Sequence, residues 1–293
     1  MRRLSSLLAI MAILTILPVY SQRERNVVYR VGVGEFTYKP AAEDNASTAG
    51  KVLKGVAETL LTGQTARHEP QYADAVRASI LSGLSHVYLF RTFDCATAVQ
   101  ESAGNEPVLH AEGLISNMST ISKVVTTKDS KGISHNDTYY RGQVNVIVNL
   151  KDATTGTVVD SHTFDAAGGD SNWLSSRDKA MTNAIEYLST RITKHYNKLF
   201  PLYASIVEGG NVKKQKQKEV YIDLGELNGV CRGMHFDVFL SRTVAGKEAR
   251  TQIGQLKISE VEGDEISLCK VTRGGNEIKS ALEDGKSLVI ISR

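Results

Sequence analysis

Val144-Asn-Val-Ile-Val-Asn-Leu-Lys-Asp-Ala-Thr-Thr-Gly-Thr-Val-Val-Asp-Ser161 reads as a strand, a tight turn and a returning strand. Val144, Val146 and Val148 alternate with Gln143, Asn145, Ile147 and Asn149, a period of two that turns one side of a strand toward a core. Lys151–Gly156 spells a hairpin turn with glycine at its end, and Thr157–Phe164 is the partner strand. A Gly-rich link, Ala166–Asn172, leads into the clearest helix of the chain. There Met181, Ala184, Ile185, Leu188, Ile192, Tyr196 and Leu199 form a sustained apolar stripe, halted by Pro201.

Working outward, Asn26–Thr37 is β-branched and aromatic at period two and predicts a first strand. Residues 40–50 break that pattern, and Lys51–Thr62 is weakly helical, with Val52, Val56 and Leu60 four residues apart. Pro70 suits a first helical turn, after which Tyr72, Val76, Ile80 and Leu84 mark one face of a helix ending near Ser85. Val87–Phe93, Pro107–Ser116 and Tyr139–Leu150 read as strands, with a polar connector, Lys123–Asp137, between the last two. Past Pro201 the helical period gives way to strands only: Leu202–Val207, Glu219–Leu224, Met234–Leu240, Gln252–Val261, Glu265–Thr272 and Ser287–Ser292, punctuated by glycines. Six short strands in so small a segment predict a small barrel or sandwich. The expected division is therefore an α/β domain over 22–201 and a small all-β domain over 202–293, hinged near Pro201, with an α+β fold class overall.

The composition fits a folded protein of this size: 293 residues, 41% apolar and 23% charged. A formal net charge of +3, with Arg2 and Arg3 at the extreme N-terminus, lacks the global basic footprint of a nucleic-acid binder. Those arginines open an export signal over residues 1–21. A basic start is followed by the apolar run Leu7–Leu17, too short to span a bilayer, and by Val19-Tyr20-Ser21 before a cleavage point at Gln22. No Cys lies near that point, so lipidation there is not expected.

An exported chain meets an oxidising compartment, but three cysteines cannot staple a chain this long. Cys95, Cys231 and Cys269 read either as small buried hydrophobes or as one Cys231–Cys269 bridge with Cys95 left over. No zinc-type spacing occurs, so no metal or cofactor is expected. Gly32-x-Gly34 is a fragment of a phosphate loop, but Thr37 stands where a third glycine is needed, and structural glycines are the better reading. None of the seven histidines sits in a recognisable catalytic frame, and His195 at a helix C-terminus suits the dipole alone. Asp152, Asp160, Asp165 and Asp170 fit turn formation, and no catalytic residue is assigned. Lys213, Lys214, Lys216 and Lys218 form a basic run that could touch an anionic partner, although such a run is more often a solvated loop. Asn45, Asn117 and Asn136 open formal glycosylation sequons.

Val108-Leu-His-Ala-Glu-Gly-Leu-Ile, then Val144–Ser161, then the helix containing Ala180 and Ala184-Ile185, resembles the CsgG-like family of curli production and transport. The resemblance covers residues 27–200, and its most specific part is Asp152-Ala-Thr-Thr-Gly156. Gly225-Glu-Leu-Asn-Gly-Val-Cys-Arg-Gly233, Ile253-Gly-Gln-Leu-Lys-Ile and Asp284-Gly-Lys-Ser-Leu-Val-Ile look like the small, SH3-like β-barrel that follows this domain in FlgT-type flagellar assembly proteins. The resemblance implies a non-enzymatic periplasmic or exported scaffold of a bacterial envelope machine, associated in one reading with the outer membrane, its partners envelope proteins or copies of itself. The alternative is an activator of peptidoglycan synthesis resembling penicillin-binding-protein activators. Curli-type pores carry lipidated cysteines and long amphipathic hairpins. Here the insertion Asn117–Tyr140 is polar, with only Ile121, Val124, Val125 and Ile133 for a lipid face, so the expectation is the scaffold without its pore. Residues 41–69 are expected to be the variable surface.

Overall fold

The computed structural model describes residues 26–39, 64–95, 106–167 and 173–293. The export signal, the helix expected over Lys51–Thr62, Asn45 and Asp170 lie outside these residues.

The first sheet comprises β1 (Tyr29–Tyr38), β2 (Gln64–His68), β3 (Phe90–Asp94), β4 (Val108–Lys128), β5 (Ser134–Asp152) and β6 (Val158–Asp165). Its order is β3-β1-β4-β5-β6, with β2 added to the far part of β4. β1 runs parallel to β3 and β4, while β4, β5 and β6 are antiparallel. Helices α1 (Ala73–Ser85) and α2 (Arg177–Leu199) cover one face. The reason is the alternation in β5: Gly142, Val144, Val146, Val148 and Leu150 are all buried, and the residues between them are only half so. On α2, Met181, Ala184, Ile185, Leu188, Ile192 and Tyr196 are buried against that face, and Ser176 caps the helix at Lys179. On α1, Val76, Ile80 and Leu84 are fully buried, and a one-turn 3₁₀ segment at Pro70–Tyr72 precedes the helix. Close approach of the layers rests on two glycines. A Cβ at Gly142 would lie 2.3 Å from the Ala180 carbonyl oxygen, and one at Gly83 would lie 2.9 Å from Ile192 Cβ.

The hairpin turn is as the sequence spells it. Asp152 Oδ1 accepts from the Thr154 and Thr155 amides, which holds its carboxyl below the usual range, the Thr155 amide contributing most. Gly156 takes φ +69°. That left-handed turn is where a side chain would be strained.

Three expectations for this domain need correcting. The strand expected over Val87–Phe93 begins only at Phe90, because His86–Leu89 is a turn closed by the Val87 amide on the Leu84 carbonyl and the Phe90 amide on the Val87 carbonyl, with the Val87 and Leu89 side chains plugging the core. Gly32 and Gly34 lie mid-strand in β1, and a Cβ at Gly32 would meet Cys95 Sγ at 2.7 Å, in keeping with the structural role the sequence suggests for them. Residues 64–68, expected within a variable surface, pair with β4, and Glu69 is buried. The polar connector is no loop either. β4 and β5 stay paired from Leu109↔Asp152 out to Lys128↔Ser134, where Asp129 Oδ1 accepts from the Lys131 and Ile133 amides.

In the second sheet, β7 (Tyr203–Ala204), β8 (Ile206–Gly209), β11 (Glu219–Ile222), β12 (His235–Val244), β13 (Lys247–Val261), β14 (Ser267–Arg273) and β15 (Leu288–Ser292) follow the order β7-β15-β12-β13-β14-β11-β8, antiparallel throughout. The two edge strands, β7 and β8, are separated in the chain by Ser205 alone, so the sheet curls until its edges nearly meet. Phe236, Val238, Leu256, Ile258, Cys269 and Ile290 fill the interior. A small hairpin of β9 (Val212–Lys213) and β10 (Lys216–Gln217) stands apart. The all-β expectation fails at one place: Gly275–Glu283 is a helix, α3, with Ile278 fully buried beside Gly254.

Asn26, just before β1, exchanges two hydrogen bonds with the Tyr203 backbone of β7, at 2.7 and 2.8 Å, and so ties the first sheet's leading residues to the second sheet. On either side of that contact, Leu202 bonds Ser292 through N and O, and Phe200 packs edge-on against Tyr29 and Phe90.

Candidate interaction surfaces

The longest exposed feature is the outer end of the β4–β5 hairpin. Five pairs, Val124↔Thr138 to Lys128↔Ser134, reach roughly 17 Å at about 3.4 Å per residue. Among the described residues neither outer edge of this arm has a strand partner: the described part of β2 begins at Gln64, opposite Lys123, and the Tyr140↔Leu174 bridge lies at the base. Val124 and Ile133 are exposed at 60% and 55%, and Val125 is exposed beside them. Isolated apolar side chains among Thr, Ser, Lys and Asp do not form a lipid face.

The base of the arm is braced by charge and aromatic contacts. Glu69, 2% exposed, accepts from Thr120 Oγ1 at 2.9 Å and Gln71 Nε2 at 2.6 Å, with Arg177 Nε at 3.6 Å and Arg67 Nε at 3.8 Å. These contacts tie β2, β4 and α2 together. Arg177 also lies over the Tyr140 ring, and Trp173 takes the Lys123 ammonium at 4.4 Å and the Arg141 guanidinium at 5.1 Å from its ring centre. Tyr72 donates to Asp178 at 2.6 Å, and that bond pushes its phenol up to about 12.

The residues singled out from sequence are scattered. Lys213, Lys214, Lys216 and Lys218 are all exposed around the β9–β10 hairpin, whose turn places Lys214 and Gln215 at positive φ. The stretch is a hairpin rather than a loop, pinned by buried Gln217, which donates to the carbonyls of Gly210 and Glu219. Cys231 and Cys269 are not bridged: Cys231 is exposed before β12, whereas Cys269 points into the barrel, where burial pushes its thiol up to about 12. Cys95 is free and exposed.

Asp160 and His195 pair at 2.9 Å, and the His195 ring stacks on His162 with centres 3.9 Å apart. Parallel stacking presents faces rather than converging lone pairs, and among the described residues no group of three His, Cys, Asp or Glu could hold a metal. Asp165 bonds the Ala167 amide, as its turn role predicts. Asn117 is partly buried against Asn145, while Asn136 is exposed on the arm. Glu69, Trp173 and Arg141 were not singled out from sequence. The available signal was a lone Trp at the end of a Gly-rich link and an acidic residue directly before a helix-starting proline.

Among the described residues no helix is long and apolar enough to cross a membrane. No family model and no curated protein sequence matches the chain. Solved structures similar to it include a neuraminyllactose-binding hemagglutinin homolog from Helicobacter pylori, 14% identical, covering 62% of this chain and 97% of that one at a TM-score of 0.32. A PelC dodecamer from Paraburkholderia phytofirmans is 13% identical and covers 56% of this chain and 91% of its own at a TM-score of 0.28. At such scores these likenesses assign neither partner nor activity.

Proposed function

We propose that the chain is a non-enzymatic exported scaffold of a bacterial envelope machine, serving secretion, flagellar or surface-structure assembly. The CsgG-like and FlgT-type sequence resemblances supply the envelope setting. The arm supplies the mode of action: a two-stranded ribbon whose outer edges have no strand partner among the described residues offers backbone donors and acceptors to a strand of an envelope protein or of another copy. That arm, held on the Glu69 and Trp173 braces, is the observation that carries the reading.

The test shortens the arm, replacing residues 124–138 with an Asn-Gly turn between Lys123 and Tyr139. Full-length and shortened chains are expressed in the native host, and their envelope complexes are compared by size and composition. The shortened chain is expected to keep its fold and lose its complexes. Identical complexes from both chains would overturn the role given to the arm, and a peptidoglycan synthase among the lost partners would select the activator alternative.

A further inference from the structure

Two depressions meet where the first domain rests on the barrel. The larger, about 520 Å³, is bordered by His86 and Tyr88 after α1, by Lys194, Asn197 and Lys198 on the last turns of α2, and by Arg293. The second, about 480 Å³, shares Tyr88 and Arg293 and adds Met234 and His235 from the barrel. Three fixed cations and two histidines thus converge from four separate segments, and no carboxylate side chain lines either depression. The dipole of α2 accounts for basic residues at its own C-terminus. It does not account for Arg293 and His235, which arrive on the other domain at the same opening.

The walls are already set. Asn197 is buried and accepts from the Tyr88 amide at 3.0 Å, and Thr193 Oγ1 donates to the Gly83 carbonyl at 2.7 Å, so the Tyr88 turn is fixed on α2. Arg293 is held at Nε by Asp237, 3.2 Å away, and Asp237 also accepts from Gln252. An anchored guanidinium and two lysines one turn apart suit a ligand with several oxygens of negative charge, while the Tyr88 ring and the lysine stems give it an apolar wall.

We propose that this joint binds a small oxyanion-bearing ligand, phosphate or carboxylate, with Lys194, Lys198 and Arg293 as its cationic contacts. Because those contacts come from both domains, the bound anion clamps the barrel to the α/β domain. The site is independent of the arm and of the scaffold role.

The experiment titrates the full mature chain with pyrophosphate and, separately, with citrate by calorimetry at low salt, and follows thermal unfolding in parallel. Expected is saturable binding of one equivalent, weakened at least about tenfold in both Lys194→Gln/Lys198→Gln and Arg293→Gln. Lys213→Gln/Lys214→Gln, on the distant hairpin, should bind as the parent does. Pyrophosphate binding alone identifies a phosphate ligand, citrate alone a carboxylate, and either supports the site. The absence of saturable binding with both probes overturns it, as does equal weakening by the groove and hairpin variants. Unliganded melting of each variant at the parent temperature establishes that lost binding is not lost folding.

Discussion

Substituting Gly142→Ala probes the layer contact on which the first domain depends. The new Cβ would lie 2.3 Å from the Ala180 oxygen and 3.0 Å from Ala184 Cβ, where ordinary contact begins near 3.4 Å. α2 and β5 must therefore part by about 1 Å, and rigid cores charge roughly 1–3 kcal/mol for such overpacking. Replacing a strand glycine returns about 0.5–1 kcal/mol by restricting the unfolded chain. The net loss is about 1–2 kcal/mol, which for a domain of this size lowers Tm by roughly 2–8 °C. Trp173 is the only tryptophan and lies beside β5, so its fluorescence follows this domain without interference from the barrel. The paired control is Gly34→Ala, whose Cβ meets nothing closer than 3.5 Å and which should melt at or slightly above the parent temperature. A Gly142→Ala protein as stable as the parent, or a Gly34→Ala protein destabilised as much as Gly142→Ala, would refute the packing of α2 on β5.

Thiol titration of the folded protein should modify Cys95 and Cys231 promptly and Cys269 only on unfolding; two sluggish thiols would place Cys231 elsewhere. Burial, with a smaller contribution from neighbouring His195, holds His162 below its ordinary 6.5. The unfolded chain therefore takes up that proton more readily, and stability falls as pH drops from 6.5 through the lower folded-state value. His162→Gln should narrow the difference between urea midpoints at about pH 7.5 and about pH 5.5, and an unchanged difference would remove His162 as its source. Residues 202–293 expressed alone should give a cooperative melt, since the barrel carries its own interior around Phe236 and Leu256; a non-cooperative melt would mean that the Asn26–Tyr203 contact is required for folding.

What the sequence makes legible is where burial imposes a period. β5 alternates because α2 covers one face only, α1 and α2 show their stripes because each buries one side, and the Asp152–Gly156 turn is written in its own side-chain chemistry. The arm escapes that reading because, among the described residues, nothing covers either face: Lys123–Asp137 has no apolar alternation to show, although its threonines and valines favour strand. β2 is hidden for a different reason, since among the described residues it pairs only on β4 and spans five residues, too few to establish a period. α3 spans about two turns and begins at Gly275, directly after Gly274, a glycine pair that reads as another inter-strand turn; only Ile278 and Ala281, three apart, hint at a helix. The interdomain groove depends on residues far apart in sequence, Tyr88, Lys194 and Arg293, and no local pattern brings them together.

The most direct measurement of the scaffold role places a photo-crosslinking amino acid at Val125 on the arm and, as a reference, at exposed Tyr187 on α2. After irradiation of the native host's envelope, adducts are identified by mass spectrometry. The prediction is a discrete adduct from position 125, to an envelope protein or to a second copy of this chain, and none of that mass from position 187. Position 125 yielding no adduct, or only the same diffuse products as position 187, would contradict the assignment of the arm as the partner-binding element.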